Sequence, residues 1–177
     1  DQTIAIELLP LEADPYFNRA IAEESLHLWK EAENDFKWVI EHFPQDSSAA
    51  YNLGNLMLKE GDWLRASSYF ERASNIEPSL SIARSRKALI DYQLGNYEQA
   101  ESEFRSIIRK YPFLADSRAG LTALLWHQGM FGEAESNWNA VVGIDHRYRE
   151  KSFILNNLGW PPMPTKNLID FLTLKTS

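Results

Sequence analysis

Two periods run through the chain. The short one is helical. In residues 47–80 the apolar or small positions Ala50, Leu53, Gly54 and Met57 recur at intervals of three and four, which places them on one stripe of an α-helix. The long one is a 34-residue step. It carries Pro44, Pro78 and Pro112; Ala32, Ala66, Ala100 and Ala134; and Phe36, Phe70, Phe104 and Trp138. Gly61, Gly95 and Gly129 keep the same step, each followed two residues later by Trp63, Tyr97 or Phe131. A fixed period of this length marks a repeat architecture. It predicts an all-α chain of four helical hairpins over residues 13–46, 47–80, 81–114 and 115–148. Residues 1–12, with Ile4, Ile6, Leu8, Leu9 and Leu11 around Pro10, read as an extended segment. Residues 149–177 read as capping helices: one over 147–158, a Gly159-Trp160-Pro161-Pro162 break, and one over 164–175 with Leu168, Ile169, Phe171 and Leu172 on one face.

Each column has a physical reason. The glycines fall where one helix stops and the next starts, and glycine accepts a positive φ there without steric cost. The prolines close the second helix, lacking an N–H and clashing with the preceding turn. The alanines let two helices approach closely, and the aromatic four residues later fills the space beside them. A single hairpin cannot hide its apolar face, so successive hairpins are expected to stack.

This pattern resembles the tetratricopeptide-repeat (TPR) family. Residues 47–80 match it most fully, with Leu53-Gly54, Gly61, Ala66, Phe70, Ala73 and Pro78 in place. Residues 81–114 keep Ala88, Gly95, Tyr97, Ala100, Phe104 and Pro112. Residues 115–148 keep Leu121, Gly129, Phe131, Ala134 and Trp138, with His146 at the proline position. Residues 13–46 are a degenerate first repeat, in which His27 replaces the glycine. The resemblance implies a right-handed superhelix of about four repeats whose concave groove receives a partner protein. A repeat segment followed by a Trp-Pro-Pro turn and a Leu-rich helix is also similar to TPR proteins of cyanobacteria and chloroplasts. That likeness implies a thylakoid-associated setting.

Helical geometry gives the first helix of each repeat two opposed stripes, at about 100° per residue. Unit positions 4, 7, 8 and 11 pack on neighbours, and positions 2, 5, 6, 9 and 13 line the groove in the TPR family. The groove candidates are therefore Tyr51, Asn52, Asn55 and Lys59 in the second repeat and Ser85, Arg86, Leu89 and Gln93 in the third. The fourth repeat supplies Asp116, Ala119, Gly120, Ala123 and His127, with Trp126 alongside. The first repeat contributes Asp14, Phe17, Asn18, Ile21 and Ser25. Arg86 can offer a planar fork to a carboxylate; Arg84 and Lys87 share its basic cluster, where Lys87 can also pair with Asp91 at i,i+4. The carboxylate clamp of chaperone-binding TPR proteins is matched only by Asn52 and Arg86, since Phe17, Ile21 and Ile82 occupy its other positions. Trp160 reads either as a buried turn residue or as a recognition element.

Net charge is -7. That opposes nonspecific nucleic-acid binding, which needs a basic field, and adhesion to anionic membranes. There is no cysteine, and no apolar run approaches the ~18 residues of a membrane span. The four histidines have no metal-ligand spacing, no phosphate-binding glycine loop occurs, and Glu101/Glu103 and Glu133/Glu135 point to different faces of their helices. No enzyme activity, cofactor or metal is expected. The chain begins at Asp1, which leaves open both a shortened sequence and removal of a targeting peptide. The expected role is a scaffold, assembly factor or adaptor holding a peptide or helix of another protein in the groove. The alternative is a structural subunit that contacts a larger complex by its convex face or terminal segments, in the biogenesis of a photosynthetic complex.

Overall fold

The structure is a computed structural model that describes residues 2–175. Among these residues every regular element is a helix. The helices gather into two compact units, one ending at Leu80 and the other beginning at Ser81.

The first unit holds α1 (Gln2–Leu8), α2 (Ala13–Ser25), α3 (Trp29–His42), α4 (Ser47–Glu60) and α5 (Trp63–Ile76). Helices α2/α3 and α4/α5 form its two hairpins. Asp46 starts α4 by accepting the Ala49 N–H at 2.8 Å, and Asp62 starts α5 by accepting that of Arg65 at 3.0 Å. Each side chain satisfies a backbone donor that the helix itself leaves unpaired. Gly61 closes α4 with φ 78°. At the matching place in the first hairpin His27 takes φ 61°, and it alone of the described non-glycine residues is left-handed. The Leu28 N–H there still reaches the Glu23 carbonyl at 2.9 Å, so the turn is kept without the glycine. Ala32, Phe36, Ala66 and Phe70 are fully buried, as the repeat columns require. The Arg19 guanidinium grips Asp35 with two bonds of 2.6 and 2.7 Å, tying α2 to α3.

Residues 2–8 form a helix rather than the extended segment expected. Gln2, Ala5 and Ile6, spaced three and one apart, are its partly covered positions, and they form a helical stripe on α2. The aliphatics around Pro10 suggest an irregular strand, but Pro10 lies beyond the helix end, where it breaks no helical bond.

The second unit holds α6 (Ser81–Gln93), α7 (Tyr97–Lys110), α8 (Ala115–His127), α9 (Phe131–Ile144), α10 (Lys151–Asn157) and α11 (Pro162–Lys175). Helices α6/α7 and α8/α9 are its hairpins, turned at Gly95 (φ 84°) and Gly129 (φ 78°). Ala100, Phe104 and Ala134 are fully buried and Trp138 nearly so. Gly120 lets α8 sit against Phe104, because a Cβ there would lie 2.6 Å from the ring. The helix expected over 147–158 is divided into a 3-10 turn, His146–Arg149, and the short α10. Helix α11 starts at Pro162, earlier than expected. Two prolines fit in its first turn because the N–H groups there have no helical acceptor. Helix α11 lies on α8 and α6, and Leu168, Phe171 and Leu172 join the same apolar cluster as Leu89, Leu124 and Trp138.

Candidate functional site

The groove stripes of the two units have different fates. In the first unit, Tyr51, Asn52 and Asn55 are half-buried and Lys59 is exposed on α4; Asn18 and Ile21 are exposed on α2, with Phe17 half-buried. Lys59 ties the two helices together by an ion pair with Glu24, and its ammonium sits 5.1 Å above the Trp29 ring. The Tyr51 ring leans on Phe70 at 5.5 Å, and the Asn52 amide donates to the Ser48 carbonyl at 2.9 Å. The hydroxyl of Tyr51 and the amides of Asn18 and Asn55 make no hydrogen bond to the described residues. The face is thus an aromatic and aliphatic floor set with open donors and acceptors.

In the second unit the stripe is occupied by the chain's own tail. Arg86 donates to the Leu158 carbonyl at 2.7 Å, and Gln93 accepts the Met163 N–H at 2.8 Å. Ser85, Leu89 and Ala123 are fully buried. They lie inside the unit rather than on the groove surface expected of them, and Ser85 is held there by Asp116 and Ser117 of α8. Trp126 is half-buried with Phe171 edge-on at 5.5 Å, and His127 is exposed with its ring 5.2 Å from Tyr97. The basic cluster beside the stripe is engaged as well: Arg84 pairs with Glu103, and Lys87 with Asp91 at 3.2 Å.

A buried polar network, which the sequence reading does not assemble, fixes the tail. The Asp116 carboxylate, 8% exposed, accepts from Ser85 at 3.0 Å, from the Tyr148 hydroxyl at 3.3 Å and from the Trp160 indole at 2.8 Å. Ser117 donates to Ser85 at 2.9 Å. The Tyr92 hydroxyl donates to the Ala123 carbonyl at 3.1 Å and accepts from the Asn167 amide at 2.6 Å. Burial pushes the Tyr92 and Tyr148 hydroxyls far above the ordinary tyrosine range, with the charge of Asp116 adding to the shift at Tyr148. Both therefore stay protonated donors at any ordinary pH. Trp160 is a buried turn residue. The signal available in sequence was Asp116, a carboxylate on a stripe whose next three members, Ala119, Gly120 and Ala123, are small.

Among the described residues no group of three or more histidines and carboxylates is placed to hold a metal ion, and no helix is long and apolar enough to cross a membrane.

No curated protein matches the chain in sequence. Among solved structures it is similar to YrrB, described as a TPR protein with an unusual peptide-binding site, at 20% identity over 99% of this chain and 96% of that one, with a TM-score of 0.71. It is similar to MamA from Desulfovibrio magneticus RS-1 at 18% identity over 93% of each chain, with a TM-score of 0.69. It is also similar to PilF of Pseudomonas aeruginosa at 15% identity over 98% of this chain and 79% of that one, with a TM-score of 0.76. At these identities the likeness is one of fold. The model of the tetratricopeptide repeat matches residues 17–77 and 85–142, and with the repeat columns and the hairpins already described, the chain belongs to the tetratricopeptide-repeat family.

Proposed function

We propose that this protein is a non-enzymatic interaction module that takes a segment of a partner protein on the α2–α4 face of its first unit. Tyr51, Asn52, Asn55 and Lys59 form the centre, and Asn18 and Ile21 the edge. The observation that carries the reading is the contrast between the units. On the second unit Arg86 and Gln93 are taken by the tail, at Leu158 and Met163, whereas on the first unit Tyr51, Asn18 and Asn55 keep hydrogen-bonding groups that no described residue uses. An amide both donates and accepts, so a row of them reads the main chain of an extended segment, while Ile21, Phe17 and the Tyr51 ring receive its apolar side chains. The peptide-binding site in the description of YrrB supports the same class of ligand.

The test begins with peptides selected on the full chain from a random library. Tyr51→Ala and Asn55→Ala are expected to weaken the selected peptides by about five- to tenfold each, and Arg86→Ala is expected to leave affinity unchanged. Loss of affinity with Arg86→Ala alone would move the site to the second unit and defeat the reading.

A second reading is favoured by one observation. Ile4, Leu8, Leu9 and Leu11 are each more than half exposed around α1, as they would be in a structural subunit held in a larger complex by its N-terminal segment. Under that reading Leu8→Glu abolishes incorporation into the complex and Asn55→Ala does not. The photosynthetic setting rests on the tail's resemblance alone, and docking inside the second unit already accounts for Trp160 and Leu168.

A further inference from the structure

The tail is held in the manner of a bound segment, not only that of a cap. A cap needs to cover apolar surface, which Leu168, Phe171 and Leu172 do by being buried. This tail is also read in detail. Two of its main-chain groups, the Leu158 carbonyl and the Met163 N–H, are taken by Arg86 and Gln93, residues of the groove stripe. Two of its side chains, Trp160 and Asn167, are taken by Asp116 and Tyr92. Main-chain bonds combined with anchored side chains are how a groove recognises a segment.

The seat is also complete without its occupant. Asp116 keeps the Ser85 and Tyr148 donors, and the Tyr92 hydroxyl keeps the Ala123 carbonyl, all supplied by residues before the tail. A buried carboxylate stripped of every donor would carry a heavy penalty, but here departure of the tail removes one donor of three. The polar groups stay oriented, so the site is preorganised for a second ligand of the same kind. The connection to α11 can act as a hinge: Gly159 is left-handed at φ 60°, and two prolines follow it.

We propose that residues 158–172 are an internal ligand, and that the α6–α8 face beneath them is a second binding site, closed in cis, for an external amphipathic helix led by a tryptophan turn. A tethered ligand acts at an effective concentration on the order of millimolar, so an external helix competes poorly until the tail is weakened. This site is independent of the α2–α4 face.

The probe is a fluorescent synthetic peptide of residues 158–175, titrated by anisotropy against the full chain. The substitutions are placed in the tail so that the seat itself is unaltered: Phe171→Ala, which removes an apolar anchor, and the milder Trp160→Phe, which removes only the indole donor. The peptide is expected to bind both variants at least about tenfold more tightly than the wild-type chain, with helical circular dichroism unchanged. Adding Gln93→Ala is expected to weaken that binding, and adding Asn55→Ala is not. Native-state hydrogen exchange on the wild-type chain gives a readout free of any variant. The α11 amides are expected to open at lower free energy than those of α8. Folded variants that bind the peptide no better than wild type, or α11 amides that exchange only together with α8, would overturn the proposal and leave the tail as core.

Discussion

At the scale of single residues, Glu23 carries a prediction that runs against the usual behaviour of a surface acid. Its Oε2 is buried without a hydrogen-bond partner. Burial, followed by the like charges of Asp35 and Glu31, raises its pKa, and Arg19 at 3.7 Å opposes them only in part. Because the folded value lies above the unfolded one, folding favours the protonated form. Glu23 therefore stabilises most at a pH below the ordinary glutamate pKa, and this contribution is lost as pH rises through the raised value. Glu23→Gln is expected to raise the melting temperature at pH 7, by the equivalent of about 1 kcal/mol or less, and to change it little near pH 4. A lower melting temperature at pH 7 would mean that the Arg19 contact outweighs burial. Gly120 makes the opposite kind of prediction. A methyl there meets the Phe104 ring at 2.6 Å, so Gly120→Ala is expected to cost about 1–3 kcal/mol in denaturant unfolding. A neutral substitution would show that the ring moves aside freely. Neither effect was legible in sequence. The environment of Glu23 is made by α2 and α3 together, and the close approach at Gly120 is made by a ring on another helix.

At the scale of elements, most of the architecture could be read in advance, because a repeat states each boundary several times. Gly61, Gly95 and Gly129 close α4, α6 and α8 with left-handed φ, where the columns put them. The first hairpin had no glycine to read, and the structure gives the reason it still turns: His27 adopts the conformation glycine would have supplied, at φ 61°. A side chain held there is disfavoured by roughly 1–2 kcal/mol, part of which returns through the stiffer unfolded chain. His27→Gly is thus expected to stabilise the protein by about 0.5–1 kcal/mol, seen as a higher denaturation midpoint with an unchanged slope. A lower midpoint would mean that the ring contact with Trp29, at 5.0 Å, is worth more than the backbone strain. Outside the repeats the elements were less legible. Helix α1 was hidden because its partly covered stripe, Gln2, Ala5 and Ile6, is shorter and less apolar than the run of aliphatics beside it. The 3-10 turn over His146–Arg149 depends on Asp145, which accepts the Arg147 N–H at 3.0 Å and pairs with its guanidinium, and that local bond interrupts what patterning alone reads as a continuous helix.

At the scale of the whole molecule, the family and the hairpins follow from the period, but which stripe remains open does not. Every candidate from Tyr51 to His127 is correctly placed on the first helix of a repeat. The fate of Arg86 and Gln93 is decided by residues about 70 positions later in the chain, through bonds from Arg86 to Leu158 and from Met163 to Gln93. No local pattern encodes the destination of a tail, so periodicity treats the Arg86 and Asn52 stripes alike, and the site proposed above is the face of the first unit that the tail does not cover. Substitutions follow the same division. Arg86→Glu is expected to lower the melting temperature by loosening the tail, while Asn55→Ala leaves stability nearly unchanged and weakens partner binding. The converse pattern would return the site to the second unit. The central claim, an open amide-lined face on the first unit and a filled one on the second, is tested most directly by following the asparagine side-chain amide signals by NMR while a library-selected peptide is added. The account predicts that the signals of Asn18, Asn52 and Asn55 move and that of Asn167 stays. Movement of Asn167 with the other three unchanged would contradict it.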